Sequence, residues 1–192
     1  MAAPVPIESP RDLEALIYSY YRDAEMRGSN LLYRMLRIVD DPQTQVNLSR
    51  HLADETRHAW LWTKRIQEIG AVPSAIPDGY QVRMGKVGGV PRHPIELFAL
   101  TLVAEQRAMR RYAEHLERPE VPSPTREVLR TASQDEVWHV AWVEKKLQDL
   151  AKQTGDARRI DAALEKFRRV DLEVVAELEE TERGWVADLG RV

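Results

Sequence analysis

In four separate stretches of this chain, an apolar stripe with helical spacing is interrupted by a glutamate. The first stripe runs Leu13, Ile17, Tyr21, Glu25, Gly28 and Leu32; the second runs Leu48, Leu52, Glu55, Ala59, Trp62, Ile66 and Ile69. The third is Phe98, Thr101, Glu105, Ala108, Tyr112 and Leu116, and the fourth Leu129, Ala132, Glu136, His139, Val143 and Leu147. Steps of three and four residues return to one face of a helix, and the apolar face is the one a helix buries. Each glutamate is therefore carried into a core. An ionised carboxylate buried without a partner costs several kcal/mol even after relaxation. A chain that does this four times must fold around something positive.

Punctuation along the chain agrees with helices. Proline stands at a first helical position in Ser9-Pro10, Asp41-Pro42, His93-Pro94 and Ser123-Pro124, while Gly70, Pro119 and Gly155 end apolar runs. These signals predict helices near 10–39, 42–69, 94–118 and 124–154. A fifth is expected near 157–183, capped by Asp156, stopped around Gly184, and carrying Ile160, Leu164, Phe167, Val174 and Leu178 on one side. The segment 70–93 holds five of the nine glycines and reads as one long connection. Its length is enough to run back along a helix of ~40 Å at ~3.3 Å per residue. The expected fold is all-α: a single domain over 1–192, built as a four-helix bundle over about 10–154, with a long crossover between its second and third helices and a C-terminal fifth helix. That last helix is amphipathic enough to cover the bundle or to join a second copy in a homodimer.

The chain has no cysteine, so thiolate sites and disulfides are excluded and any metal must be held by oxygen and nitrogen. Two of the four glutamates open a Glu-x-x-His pair, Glu55-Thr-Arg-His58 and Glu136-Val-Trp-His139. At i, i+3 the two side chains leave one helix face together and can serve one site. Random placement of 19 Glu and five His yields about half of one such match, so two on core faces, each preceded by an aspartate, are informative. Glu25 to Glu55 spans 30 residues and Glu105 to Glu136 spans 31, as in two copies of one helical hairpin. Four carboxylates and two neutral imidazoles would be balanced by two divalent cations. The competing reading is a metal-free bundle whose glutamates pair with Arg57, Arg107 or Arg110.

This pattern resembles the ferritin-like di-iron carboxylate superfamily of ferritins, bacterioferritins, rubrerythrins and di-iron oxygenases, over roughly residues 10–154. The resemblance implies six metal ligands: Glu55 and Glu136 bridging, Glu25 and His58 completing one metal, Glu105 and His139 the other. It implies that Asp54 and Asp135 each accept a hydrogen bond from the far ring nitrogen of the opposite half's histidine. Tyr112, seven residues beyond Glu105, is expected to act on a ligand carboxylate or as an electron donor; the first half has Leu32 at the matching place, with Tyr33 one position off. The function implied is a dinuclear oxidoreductase, using two irons or a mixed manganese and iron pair, that activates O2 or peroxide against a small-molecule substrate or reductant. A ferroxidase is the alternative. A rubrerythrin-type peroxidase is weakened by Ala108, where that group carries a further glutamate.

Acidic and basic residues are interspersed, with a net charge of −3, which argues against nucleic acid or an anionic membrane as partner. No signal-like start and no long apolar run is present, so the cytoplasm is the expected compartment. His51 reads as a surface or internally satisfied histidine, His93 and His115 as structural, and Trp60, Trp62, Trp138 and Trp142 chiefly as packing. Gly28 and Ser29 hint at room beside Glu25.

Overall fold

A computed structural model describes residues 7–189, with side chains to 184. It contains six helices: α1 (Pro10–Leu36), α2 (Pro42–Glu68), α3 (Tyr80–Gly88), α4 (Pro94–Leu116), α5 (Ser123–Thr154) and α6 (Ala157–Leu189). No strand occurs among the described residues. The caps follow the sequence signals. Ser9 Oγ accepts from the Asp12 amide at 3.3 Å, Asp41 from the Thr44 amide at 2.9 Å, and Asp156 from the Arg159 amide at 3.2 Å. Gly155 closes α5 at φ 68°, a left-handed conformation that favours glycine.

Two details differ from expectation. The crossover is not all loop, because α3 forms within it despite Gly85 and Gly88 and without a side-chain cap. Its propensity is poor, and packing supplies what propensity lacks. Met84 is buried, the Tyr80 hydroxyl donates to Asp171 at 2.7 Å, and Arg83 pairs with Glu177 at 3.0 Å, so that α3 is fastened to α6. A Cβ on Gly88 would meet Val170 at 3.4 Å, a close approach of α3 to α6. The second difference is that α6 runs through Gly184 to Leu189. One exposed glycine costs a helix only about 1 kcal/mol, too little to stop it.

Helix α1 lies along α2 and α4 along α5, the two hairpins meet chiefly through α2 and α5, and α6 covers α4 and α3. This is the ferritin-like arrangement with a long crossover. The core is divided. One large cluster gathers Tyr18, Tyr21, Trp62, Ile66, Tyr112 and Leu129; the other large one includes Leu32, Leu48, Phe98, Leu102, Val143 and, from α6, Phe167 and Val174, and Leu16 with Ile76 makes a small third. Fully burying such side chains contributes about 1.5–3 kcal/mol each. Along α1, α2, α4 and α5 alike, the glutamate falls between a residue of one cluster and a residue of the other. The carboxylates are thus clamped between two apolar blocks.

Candidate metal centre

Glu25, Glu55, Glu105 and Glu136 are all buried, none more than 7 % exposed, and His58 and His139 are fully buried. Helix α1 brings Glu25, α2 brings Glu55 and His58, α4 brings Glu105, and α5 brings Glu136 and His139. Ligand-capable atoms of Glu25, Glu55, His58 and Glu136 all lie within 4.8 Å of one another, and so do those of His51, Glu55, Glu105 and His139. Glu55 belongs to both groups. All six residues expected from the motifs therefore converge.

His51 was missed. It is fully buried, its ring stacks on His139 at 3.7 Å between centroids, and its Nε2 lies 3.2 Å from Glu105 and 3.6 Å from Glu55. The signal was in the spacing: His51, Glu55 and His58 stand at i, i+4 and i+7, on one helix face. The indole N–H of Trp142 can only donate, and it donates to His51 Nδ1 at 3.3 Å. A neutral His51 then carries its proton on Nε2, facing the carboxylates.

Behind the two imidazoles, His58 Nε2 is 3.0 Å from Asp135 and His139 Nε2 is 3.4 Å from Asp54. Arg57 joins those two aspartates, at 2.6 Å from Asp135 and 3.1 Å from Asp54. Each imidazole that donates from Nε2 turns a bare Nδ1 inward, so the aspartates set the tautomer. His58 Nδ1 then faces Glu25 at 3.6 Å, and His139 Nδ1 faces Glu136 at 3.1 Å. Tyr112 donates a short hydrogen bond to Glu25 and receives one from Trp62 Nε1 at 3.4 Å. Leu32 is buried and Tyr33 exposed, so among the described residues α1 offers no counterpart to Tyr112.

The electrostatics are those of a site short of positive charge. Burial, and then the neighbouring Glu25 and Glu105, push Glu55 well above the usual carboxylate range; burial, Glu105 and Glu55 do the same to Glu136. Burial opposes ionisation of Glu105 as well, yet His51 beside it holds that carboxyl low. His58, disfavoured as a cation by burial, is nonetheless raised to about 9 by Glu25 and Glu55, while burial and His51 pull His139 down to about 4. Among the described residues, none of the arginines that could neutralise the glutamates forms an ion pair with them. Arg57 is on the aspartates, Arg110 pairs with Asp171, and Arg107 stacks over Tyr80.

Four buried polar atoms, His51 Nε2, Glu55 Oε1, His58 Nδ1 and Glu136 Oε1, have no hydrogen-bond partner. Native structures seldom leave such atoms unsatisfied. Their convergence, with an oxygen and nitrogen donor set and surplus negative charge, fits two divalent cations. Against Glu25, Glu55 and Glu105 opens a cavity of about 240 Å³ between α1, α3 and α4. Gly28, Ala104 and Ala108 leave the space; a Cβ at Gly28 would sit 2.5 Å from Glu55 Oε2.

A ferritin-like bundle that buries carboxylates and imidazoles in this way defines the class of dinuclear, di-iron-type oxidoreductases. Within that class, the family model for the P-aminobenzoate N-oxygenase AurF matches residues 29–167, and the chain belongs to that family. The match takes in every candidate ligand except Glu25. No curated protein and no solved structure is matched by the chain.

Proposed function

We propose that this protein is an O2-dependent oxygenase of a small organic substrate, and that its metal centre is made by Glu25, Glu55, His58, Glu105, Glu136 and His139, with His51 as a seventh donor. The observation that carries this reading is the convergence of four unsatisfied buried atoms on one space lined by carboxylates. Glu55 and Glu136 would be shared between the ions, Glu25 and His58 serving one and Glu105, His139 and His51 the other. Iron is the metal that fits the family, and a manganese and iron pair fits the same donors. When bound, the pair supplies the electrons that reduction of O2 or peroxide requires.

The chain's own contributions follow from the geometry. Asp135 and Asp54 hold the imidazoles with Nδ1 inward, and Arg57 holds the aspartates. Tyr112, kept protonated because burial and the adjacent Glu25 push its hydroxyl well above the ordinary range, fixes the Glu25 carboxylate by donation. Burial of Glu55 and Glu136 means that loading the site expels protons. His51 could serve as a neutral donor through Nε2 only with its proton moved to Nδ1, where the Trp142 indole would have to give up its hydrogen bond. The apolar blocks on either side exclude water, which limits side reactions. The cavity beside the ligands favours an organic substrate over free iron, with N-oxygenation of an arylamine as the reaction suggested by the family's name. No helix among the described residues is long and apolar enough to cross a membrane.

The test is metal content per chain after loading with iron, or with iron and manganese, followed by O2 addition to the reduced protein and near-ultraviolet spectroscopy. Two metals per chain, lost in Glu55→Ala and Glu136→Ala, with a new charge-transfer band after O2, are expected. A chain that takes up no metal under any loading condition would refute the proposal.

A further inference from the structure

The cavity wall mixes apolar side chains with glutamates and arginines, and two of its polar groups keep hydrogen-bonding or ion-pairing capacity unused. Gln81, on α3, donates from Nε2 to the Ala24 carbonyl at 3.1 Å, which fixes the orientation of its amide. The other end, Oε1, is buried and accepts from nothing. A buried acceptor without a donor is an arrangement that a ligand's N–H or O–H would complete.

The second group is Arg107 on α4. Four arginines line the cavity, and two of them are committed: Arg27 to Asp23 at 2.7 Å and Arg111 to Glu182. Arg34 is exposed, whereas Arg107 is half-buried and forms no ion pair among the described residues. Its guanidinium lies 4.2 Å from the centroid of the Tyr80 ring, which is itself tied to Asp171 by its hydroxyl. The cation is therefore held in place without being neutralised, and a planar guanidinium presents a fork suited to a carboxylate.

We propose that Gln81 and Arg107 are the specificity-determining residues of this site: Gln81 accepts a hydrogen bond from an N–H or O–H of the substrate, and Arg107 binds an anionic substituent on it. An engineered apolar cavity of ~150 Å³ holds benzene, so about 240 Å³ accommodates one ring with its substituents. The inference rests on the reading of this cavity as the substrate chamber. It adds that the crossover helix α3, which lies outside the four-helix bundle, helps decide which substrate is accepted.

The test is equilibrium binding of three probes to the full chain, with and without added Mn(II), under argon so that no turnover competes. Aniline carries only the donor, benzoate only the anion, and p-aminobenzoate both. Gln81→Met is expected to weaken aniline and p-aminobenzoate about three- to tenfold and to spare benzoate, the size of one neutral hydrogen bond. Arg107→Met is expected to weaken benzoate and p-aminobenzoate about ten- to hundredfold and to spare aniline, with partial rescue by Arg107→Lys. Equal losses for all three probes would mark a merely structural role and overturn the assignment, as would no loss, or no binding of any probe to the unaltered chain. Because the readout is binding, the two proposals fail separately. Metal uptake and O2 reactivity without this probe pattern would sink only the assignment of Gln81 and Arg107, and the pattern without metal uptake would sink only the oxygenase.

Discussion

Adding one methyl group at Gly28 should separate the stability of the fold from the capacity of the metal centre. Gly28 lies inside α1, where replacing glycine by alanine ordinarily stabilises a helix by about 1 kcal/mol. Its Cβ, however, would stand 2.5 Å from Glu55 Oε2, against 3.4 Å or more for an ordinary contact, so the carboxylate must retreat by roughly 0.9 Å. That oxygen ends a flexible side chain, so the fold can absorb the shift cheaply. A metal ligand cannot, since bond lengths in such sites hold to within about 0.2 Å. Glu55 is shared by both groups of ligand atoms, so both ions should feel the change. The expected loss is at least that of removing an outer hydrogen-bond partner, about 10- to 100-fold in affinity. Gly28→Ala should therefore raise, or leave unchanged, the urea midpoint of the metal-free protein while weakening metal binding in a chelator-competition titration. If metal affinity is unchanged in a variant that folds normally, Glu55 does not hold metal in the position described here.

Other consequences can be checked with the same preparations. In the metal-free protein Glu55, Glu136 and His58 all have folded values raised above their unfolded ones of about 4.3 and 6.5, so the stability they contribute is present at low pH and lost as pH rises. Melting temperature should accordingly fall between about pH 6.5 and 9; His139, shifted the other way to about 4, acts below that window. Metal-loaded protein should not show this fall, and a metal-free protein that grows more stable with rising pH would contradict the charge assignment. Asp135→Asn should weaken metal binding about 10- to 100-fold, and more than Asp54→Asn, because the His58 contact is 3.0 Å and the His139 contact 3.4 Å. Equal, negligible effects in a chelator titration would remove the aspartates' role in orienting the rings. His51→Ala should weaken one of the two metals selectively, seen as a split in the titration; an unaltered titration would place His51 outside the ligand set.

The helices and the candidate ligands were legible because both are encoded locally. A stripe of period 3.6 and an Ser, Asp or Pro at its start need no knowledge of the rest of the chain, and Glu55 with His58, or Glu136 with His139, are neighbours on one helix turn. The doubled motif could therefore be read as two halves of one centre. His51 was harder, since a histidine one turn before a glutamate looks the same in sequence whether it faces water or the core. Only the packing of α5, with His139 stacked against it and Trp142 bonded to it, turns its Nε2 inward.

The same boundary separates the crossover from its helix. Two glycines in nine residues argue against α3 on propensity, and it forms because Tyr80, Arg83 and Met84 find partners on α6 and in the core, contacts some 90 residues away along the chain. The cavity belongs to this category too: Gly28, Ala104 and Ala108 are small wherever they stand, but an empty volume exists only where three helices leave one. Local periodicity and short-range chemistry thus determined the bundle and its six candidate ligands, whereas the place of His51, the placement of α3 and the shape of the cavity were decided by long-range packing, whose energy no stretch of sequence carries alone.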